Sequence, residues 1–105
     1  MKVSRACKSL VKIGCMLRQI QRMIREGRYR ATTHLLNDSL RDDGCTLPDA
    51  LNAILEGELT EVFNDDSGGQ RYEVTGPTLD NYEMGVVCKF TADSRTLILI
   101  TSYVL

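Results

Sequence analysis

Two side chains in this sequence have the chemistry for acid–base and phosphate reactions. His34 is the single histidine, and it stands at a predicted helix start, where the helix dipole favours the neutral imidazole that can act as a base. Arg71 lies in a predicted strand, and its guanidinium can bind a phosphate through two hydrogen bonds. Metal-free RNA cleavage needs a base for the 2′-hydroxyl, an acid for the leaving oxygen and a cation for the phosphate. His34, a tyrosine and Arg71 supply those three types of group.

The same residues also have structural interpretations. A lone histidine more often packs and hydrogen bonds in the interior, here beneath the predicted sheet. Arg71 could instead pair with Glu61 or Glu73 on the sheet surface. The spacing of these residues along the chain does not bring them together by itself, so both interpretations stay open.

The charge of the chain is strongly divided. Nine of its thirteen basic side chains and one of its fourteen acidic ones fall in residues 1–30, which gives that segment a charge of +8 and leaves −9 for the remainder. Such a basic segment can bind nucleic acid, an acidic partner or an anionic membrane surface, or it can partly neutralise the chain's own acidic body. The candidate nucleic-acid-binding residues are Arg18, Arg22, Arg25, Arg28 and Arg30.

Length and composition exclude several classes of protein. A chain of 105 residues fits one domain, here 1–105, and it can bury one core without disulfides or metals. The four cysteines form no C-x-x-C pair, so a closed zinc site is not expected. The sequence also has no Walker loop and no G-x-G-x-x-G after a strand, and no cofactor is expected. No stretch is long and apolar enough to span a membrane. The absence of a secretory signal favours reduced thiols and a cytoplasmic location.

Three helices are predicted from the periodicity of the first half. Apolar residues at steps of three and four predict an amphipathic helix from about Ser4 to Glu26, with Gly27 as its C-cap and residue 15 as an alternative start. A short strand in 28–32 is followed by a helix over about 34–41, capped by Thr32 or Thr33. The third helix begins with a Thr46 capping box and ends at Gly57.

The second half predicts strands. After Gly57 the apolar period changes to two, which indicates strands over 59–64, 70–75, 84–90 and 96–104. The last of these is nearly all apolar, so it is predicted to lie centrally with both faces covered. The predicted fold class is therefore α+β, with the N-terminal helices (1–27 and those in 28–57) packed on one face of a small antiparallel sheet of four to five strands (58–105).

Short motifs also occur in an order and spacing typical of one family. They are Ile24–Tyr29, Thr33–His34, Gly44–Thr46, Glu56–Glu58, Phe63–Asp66, Arg71–Tyr72, Gly76, Met84–Val87 and Ile100–Tyr103. In this respect the chain, over roughly residues 17–103, resembles the bacterial domain-of-unknown-function family 4258. That family is similar to the RelE/ParE-like toxins and to the motility quorum-sensing regulator toxins.

The resemblance implies a fold, an activity and a partner. The fold would be the small toxin-like α+β fold, and the activity would be metal-free cleavage of messenger RNA, neutralised by an antitoxin protein. His34 matches the histidine of the family, Arg71 the arginine that opens a long strand, and Tyr103 the aromatic residue that ends the last strand. The chain departs from the pattern after the histidine, where Asp38 and Asp43 stand at positions expected to hold arginines, which weakens phosphate binding there.

Two functions are therefore predicted. The first is a toxin-like domain of a toxin–antitoxin system that cleaves RNA with His34, Arg71 and Tyr103 as catalytic residues. The alternative is a non-catalytic binding domain whose N-terminal helix binds a partner or forms a homodimer. The position of the apolar face of that helix separates them: if it packs on the sheet, the basic face stays free for RNA or an acidic partner.

Overall fold

The N-terminal helix packs its apolar face into the core. The structure is a computed structural model, and it describes residues 15–64 and 69–105. Helix α1 covers 15–25 in this part of the chain, and the predicted portion before residue 15 lies outside the described residues. Ile20, Met23 and Ile24 are buried. The helix ends as predicted at Gly27, whose φ is 73°. It ends in a Schellman turn, in which the Arg28 N–H donates a hydrogen bond to the Met23 carbonyl.

The second helical segment is wound differently from the predicted α-helix. Strand β1, Tyr29–Ala31, leads into it, and the Thr32 side chain accepts a hydrogen bond from the Leu35 N–H. The segment then makes a π-helical turn over Leu35–Ser39 that runs directly into α2, Leu40–Asp42. Thr32 is therefore one of the two caps expected from the sequence, while the π turn was not expected.

The third helix is the one that the sequence predicts best. Helix α3 covers Leu47–Glu56, with Thr46 and Asp49 forming the capping box. The Asp49 carboxylate accepts hydrogen bonds from the Thr46 N–H at 2.8 Å and from the Leu79 N–H at 3.0 Å. It therefore fixes both the start of α3 and the loop over residues 78–82, much later in the chain.

The sheet has five strands and is mixed, which corrects the predicted antiparallel sheet. The later strands are β2, Glu58–Asn64; β3, Gln70–Pro77; β4, Glu83–Phe90; and β5, Leu97–Val104. Their order is β1-β5-β4-β3-β2, and β1 pairs with β5 in parallel while every other pairing is antiparallel. The parallel pair is possible because β1 and β5 are far apart in sequence, so no hairpin dictates their relative direction.

The helices cover the apolar side of this sheet. Val74, Val86 and Leu99 are buried there against Ile54 of α3 and Leu35 of the π turn. The most buried strand is β4, which is the middle strand of the sheet. The last strand, β5, is an interior strand paired with β1 and β4, but one of its faces is only half-buried, so the prediction that both faces are covered is wrong. Buried and half-buried residues alternate in β5 before its bulge.

Helix α3 approaches the sheet closely at two glycines. A Cβ atom added to Gly76 would contact the Ala53 carbonyl oxygen, and one added to Gly57 would contact the same oxygen and that of Thr75. Larger side chains at these two positions would push α3 away from β3. No helix in the described ranges is long and apolar enough to cross a membrane.

Candidate functional site

Two adjoining depressions lie where α1, β1 and the turn between β4 and β5 meet. Their volumes are about 580 and 420 Å³, and Arg28 lines both. Arg30 and Asp93 line the first depression, and Arg18 and Arg22 line the second. We call the joined depressions the arginine groove, defined by Arg18, Arg22, Arg28 and Arg30.

The burial of α1 explains why its arginines reach the groove. Arg18 and Arg22 are four residues apart and therefore project from the same face of the helix. The opposite face carries Ile20 and Ile24, which are buried in the core. Arg25 is exposed one turn further on and lines neither depression. Four of the five predicted nucleic-acid-binding arginines thus lie together, and Arg25 lies beside them.

Arg28 is held in place across the middle of the groove. Its Nε donates to the Arg95 carbonyl at 2.9 Å, and Nη1 donates to Glu26 at 3.2 Å. These bonds use two of the five N–H donors of a guanidinium, and 46% of the side chain is exposed. The other donors can bind an anion without a search for the correct rotamer, because the side chain is already oriented.

Ion pairs do not neutralise the other arginines. Within the described ranges, Arg18, Arg22, Arg25 and Arg30 form no salt bridge, and the partner of Arg28 is Glu26 of the same basic segment. Asp93 lies near Arg28, but no salt bridge joins an arginine of the basic segment to the acidic body in this part of the chain. The positive charges of that segment therefore face solvent.

One carboxylate lies among these cations. Asp93 Oδ1 accepts hydrogen bonds from Thr91 Oγ1 at 2.6 Å and from the Arg95 N–H at 3.0 Å. These two bonds, assisted by the nearby charge of Arg28, hold the pKa of the Asp93 carboxyl below its usual range. No signal in the sequence sets Asp93 apart, because an aspartate in a turn is common without any binding role.

His34 lies on the surface, not beneath the sheet. Its side chain is 61% exposed, and Nδ1 hydrogen bonds Asp38 Oδ2 at 3.1 Å, one helical turn later. The structural interpretation of a packed histidine is therefore wrong. Asp38 orients the ring through Nδ1, so that Nε2 can exchange a proton with a bound molecule. His34 follows Arg30 by four residues, so their Cα atoms lie within about 14 Å.

Arg71 and Tyr103 share the opposite face of the sheet from the core, but they are separated on it. Tyr103 lies beside Gly85, where its ring comes within 2.7 Å of an added Cβ atom. The interaction of its hydroxyl with the Glu73 carboxylate, together with burial and the charge of Glu61, raises the pKa of Tyr103 to about 12. From the strand registers, the Cα atoms of Arg71 and Tyr103 are about 16 Å apart. Glu73 is thus the partner of Tyr103, and Asp38 is the partner of His34.

The described residues contain no group of three or more histidine, cysteine, aspartate or glutamate side chains that could hold a metal ion. Comparisons of the chain with protein-family models, with curated proteins and with solved structures gave no match. The resemblance stated from the short motifs therefore stays a prediction.

Proposed function

We propose that this protein binds the sugar–phosphate backbone of RNA in the arginine groove. The observation that carries the proposal is the packing of α1. Because Ile20, Met23 and Ile24 are used by the chain's own core, the arginine face of this helix stays exposed next to Arg28 and Arg30. The same packing argues against a partner or a second copy docking on the apolar face of α1 over 15–25.

Charge gives the second argument. Phosphates are bound through arginine guanidinium groups, and this neutralisation supplies most of the affinity of proteins for nucleic acids. The arginines of the groove make no ion pair with the acidic body in the described ranges, so an incoming phosphate does not have to displace a carboxylate from Arg18, Arg22 or Arg30. The charge of −9 outside the basic segment repels a polyanion and confines it to the groove.

The test measures binding of a fluorescent single-stranded 12-nucleotide RNA by anisotropy as a function of salt. Each phosphate contact that is lost lowers the slope of log affinity against log salt by about 0.7. We therefore expect Arg22→Ala and Arg28→Ala each to weaken binding and to reduce that slope. Arg41→Ala is the matched control, because Arg41 is exposed on α2 and lies outside the groove. Equal effects of all three changes would contradict the proposal.

RNA cleavage of the toxin-like kind is a second candidate, and the contact between His34 and Asp38 favours it. An RNA strand that leaves the groove past Arg30 reaches His34 within about 14 Å. There Nε2 would take the proton of a 2′-hydroxyl, while the oxygen attacks the adjacent phosphorus and the 5′-oxygen of the next nucleotide leaves with a proton. Arg71 and Tyr103, on the sheet face, would have to bind the phosphate and protonate the leaving oxygen. The α+β arrangement is compatible with a RelE/ParE-like fold.

Cleavage is tested by expressing the chain in a bacterial host and following growth and messenger-RNA integrity. We expect growth arrest and RNA loss with the unchanged protein and neither with a folded His34→Ala variant, while Arg41→Ala behaves like the unchanged protein. The purified chain should cleave RNA in the presence of a metal chelator. If growth arrest is observed, an antitoxin protein is sought as a partner that restores growth. Intact RNA in cells that contain the folded, unchanged protein would refute cleavage and leave RNA binding to be judged by its own test.

A further inference from the structure

Asp93 is the one acidic side chain that lines the arginine groove, among the described residues. A carboxylate at this place weakens phosphate binding by repulsion, unless it makes a favourable contact with another part of the bound strand. The hydrogen bonds from Thr91 and Arg95 both end on Oδ1. Oδ2 accepts no hydrogen bond from another residue in the described ranges.

We propose that Asp93 Oδ2 accepts a hydrogen bond from a ribose 2′-hydroxyl of the bound strand, and that it thereby makes the groove select RNA over DNA. The inference rests on the proposed RNA binding and adds its specificity. A carboxylate can only accept hydrogen bonds. The donors that a nucleic-acid backbone offers are sugar hydroxyl groups, and the 2′-hydroxyl is the one that RNA has and DNA lacks.

The geometry of the groove supplies both contacts that such recognition needs. Arg28 and Arg30 line the same depression as Asp93, so phosphates bound by these arginines would hold the intervening sugar beside the carboxylate. The carboxylate itself is already oriented, because Thr91 Oγ1 and the Arg95 N–H fix Oδ1. Recognition of the sugar in this way does not depend on the identity of the base.

The experiment compares three 12-nucleotide oligouridylates that differ only at the 2′ position: ribose, deoxyribose and 2′-O-methylribose. We expect the unchanged protein to bind the ribose form about tenfold more tightly than the deoxyribose form, which is the effect of one hydrogen bond to a charged group. The 2′-O-methyl form should bind like the deoxyribose form, because it keeps the oxygen and loses the donated hydrogen. This arm needs no variant.

Asp93→Asn then tests the residue. The asparagine oxygen can keep both turn hydrogen bonds, while Oδ2 is replaced by an amide group that donates. We expect the preference for ribose to fall to less than twofold in this variant, with binding of the deoxyribose form unchanged or tighter. Asp42→Asn, which removes an exposed carboxylate from α2, should keep the full preference. Thermal unfolding of both variants confirms that they fold.

The outcomes separate this inference from the proposed function. Equal binding of the ribose and deoxyribose forms by the unchanged protein would overturn the role of Asp93 and leave binding in the groove intact. A folded Asp93→Asn protein that keeps the preference would also overturn it. If the unchanged protein binds none of the three oligonucleotides, then the proposed RNA binding itself fails, and this inference fails with it.

Discussion

Replacing Asp49 by alanine should destabilise the fold more than any other single change to an acidic residue that we propose. The side chain is only 9% exposed. It accepts hydrogen bonds from the Thr46 N–H, from Thr46 Oγ1 and from the Leu79 N–H, at 2.8, 3.0 and 3.0 Å. It thus joins the first turn of α3 to the loop between β3 and β4, and alanine would release both segments.

The size of the effect follows from these contacts. The loss of an N-terminal helix cap costs about 0.5–2 kcal/mol, and the loss of a hydrogen bond to a charged group costs about 1.5–3 kcal/mol. The two contributions share one side chain and are not fully additive, so we expect the free energy of unfolding to fall by about 2–4 kcal/mol. For a small domain this is a large part of the total stability.

The effect of Asp49 should also depend on pH. The Thr46 N–H, followed by the Leu79 N–H and the Thr46 hydroxyl, lowers the pKa of the Asp49 carboxyl below 3.8, against the opposing effect of burial. A lowered folded-state pKa means that the ionised group contributes stability above the unfolded-state pKa. This stability is lost as the pH falls through the folded-state pKa. The difference in stability between the unchanged protein and Asp49→Ala should therefore be constant from pH 7 to about pH 5 and shrink below about pH 4.

Urea unfolding followed by circular dichroism at several pH values measures both quantities. Asp42→Ala is the control, because Asp42 is exposed at the end of α2 and surface changes of this kind stay within about 0.5 kcal/mol. If Asp49→Ala is no more destabilising than Asp42→Ala at pH 7, the carboxylate does not join the two segments as described. If the difference persists undiminished at pH 3, the charge of Asp49 is not its cause.

Three further predictions concern packing and side-chain reactivity. Gly76→Ala should lower the free energy of unfolding by about 1–3 kcal/mol, because the added methyl group meets the Ala53 backbone carbonyl of α3. Gly69→Ala is the control: its methyl group has open space, so urea unfolding should show little change. Tyr103→Phe should remove the phenol whose pKa the Glu73 carboxylate raises to about 12, which an ultraviolet titration of the tyrosines detects as the loss of its late component. Cys88 is buried with a pKa raised to about 12, so mass spectrometry after brief alkylation at pH 8 should find the exposed Cys15 modified and Cys88 intact until urea unfolds the chain.

Local signals in the sequence predicted where α1 ends and where α3 begins. Gly27 and Thr46 determine helix termini through hydrogen bonds within a few residues, so their effect can be predicted without the rest of the fold. The pairing of β1 depends on distant residues instead: the Leu97 N–H donates to the Arg28 carbonyl, across most of the chain. The three residues of β1 carry no signal for which strand they pair with or in which direction. The parallel pairing of β1 with β5 could therefore not be predicted from the sequence.

The candidate site shows the same limit. The clustering of arginines in residues 1–30 predicted the chemistry of the groove, because charge is a property of composition. Its shape needs the turn that contributes Asp93 and the Arg95 carbonyl, and these residues follow α1 by about 70 positions. For His34 the residue type indicated a possible base but not its burial, because exposure depends on which face of the helical segment packs on the sheet.

Within the described ranges, the arginines of the groove lie close together and few carboxylates offset their charge. Arg28 forms its ion pair with Glu26, two residues away, and Asp93 of the turn between β4 and β5 lines the same depression. Arg18, Arg22 and Arg30 form no salt bridge there. Clustered guanidinium groups repel one another, so the fold bears an unfavourable electrostatic free energy that a bound polyanion would relieve. Binding of RNA should for that reason stabilise the folded chain as well as occupy the groove.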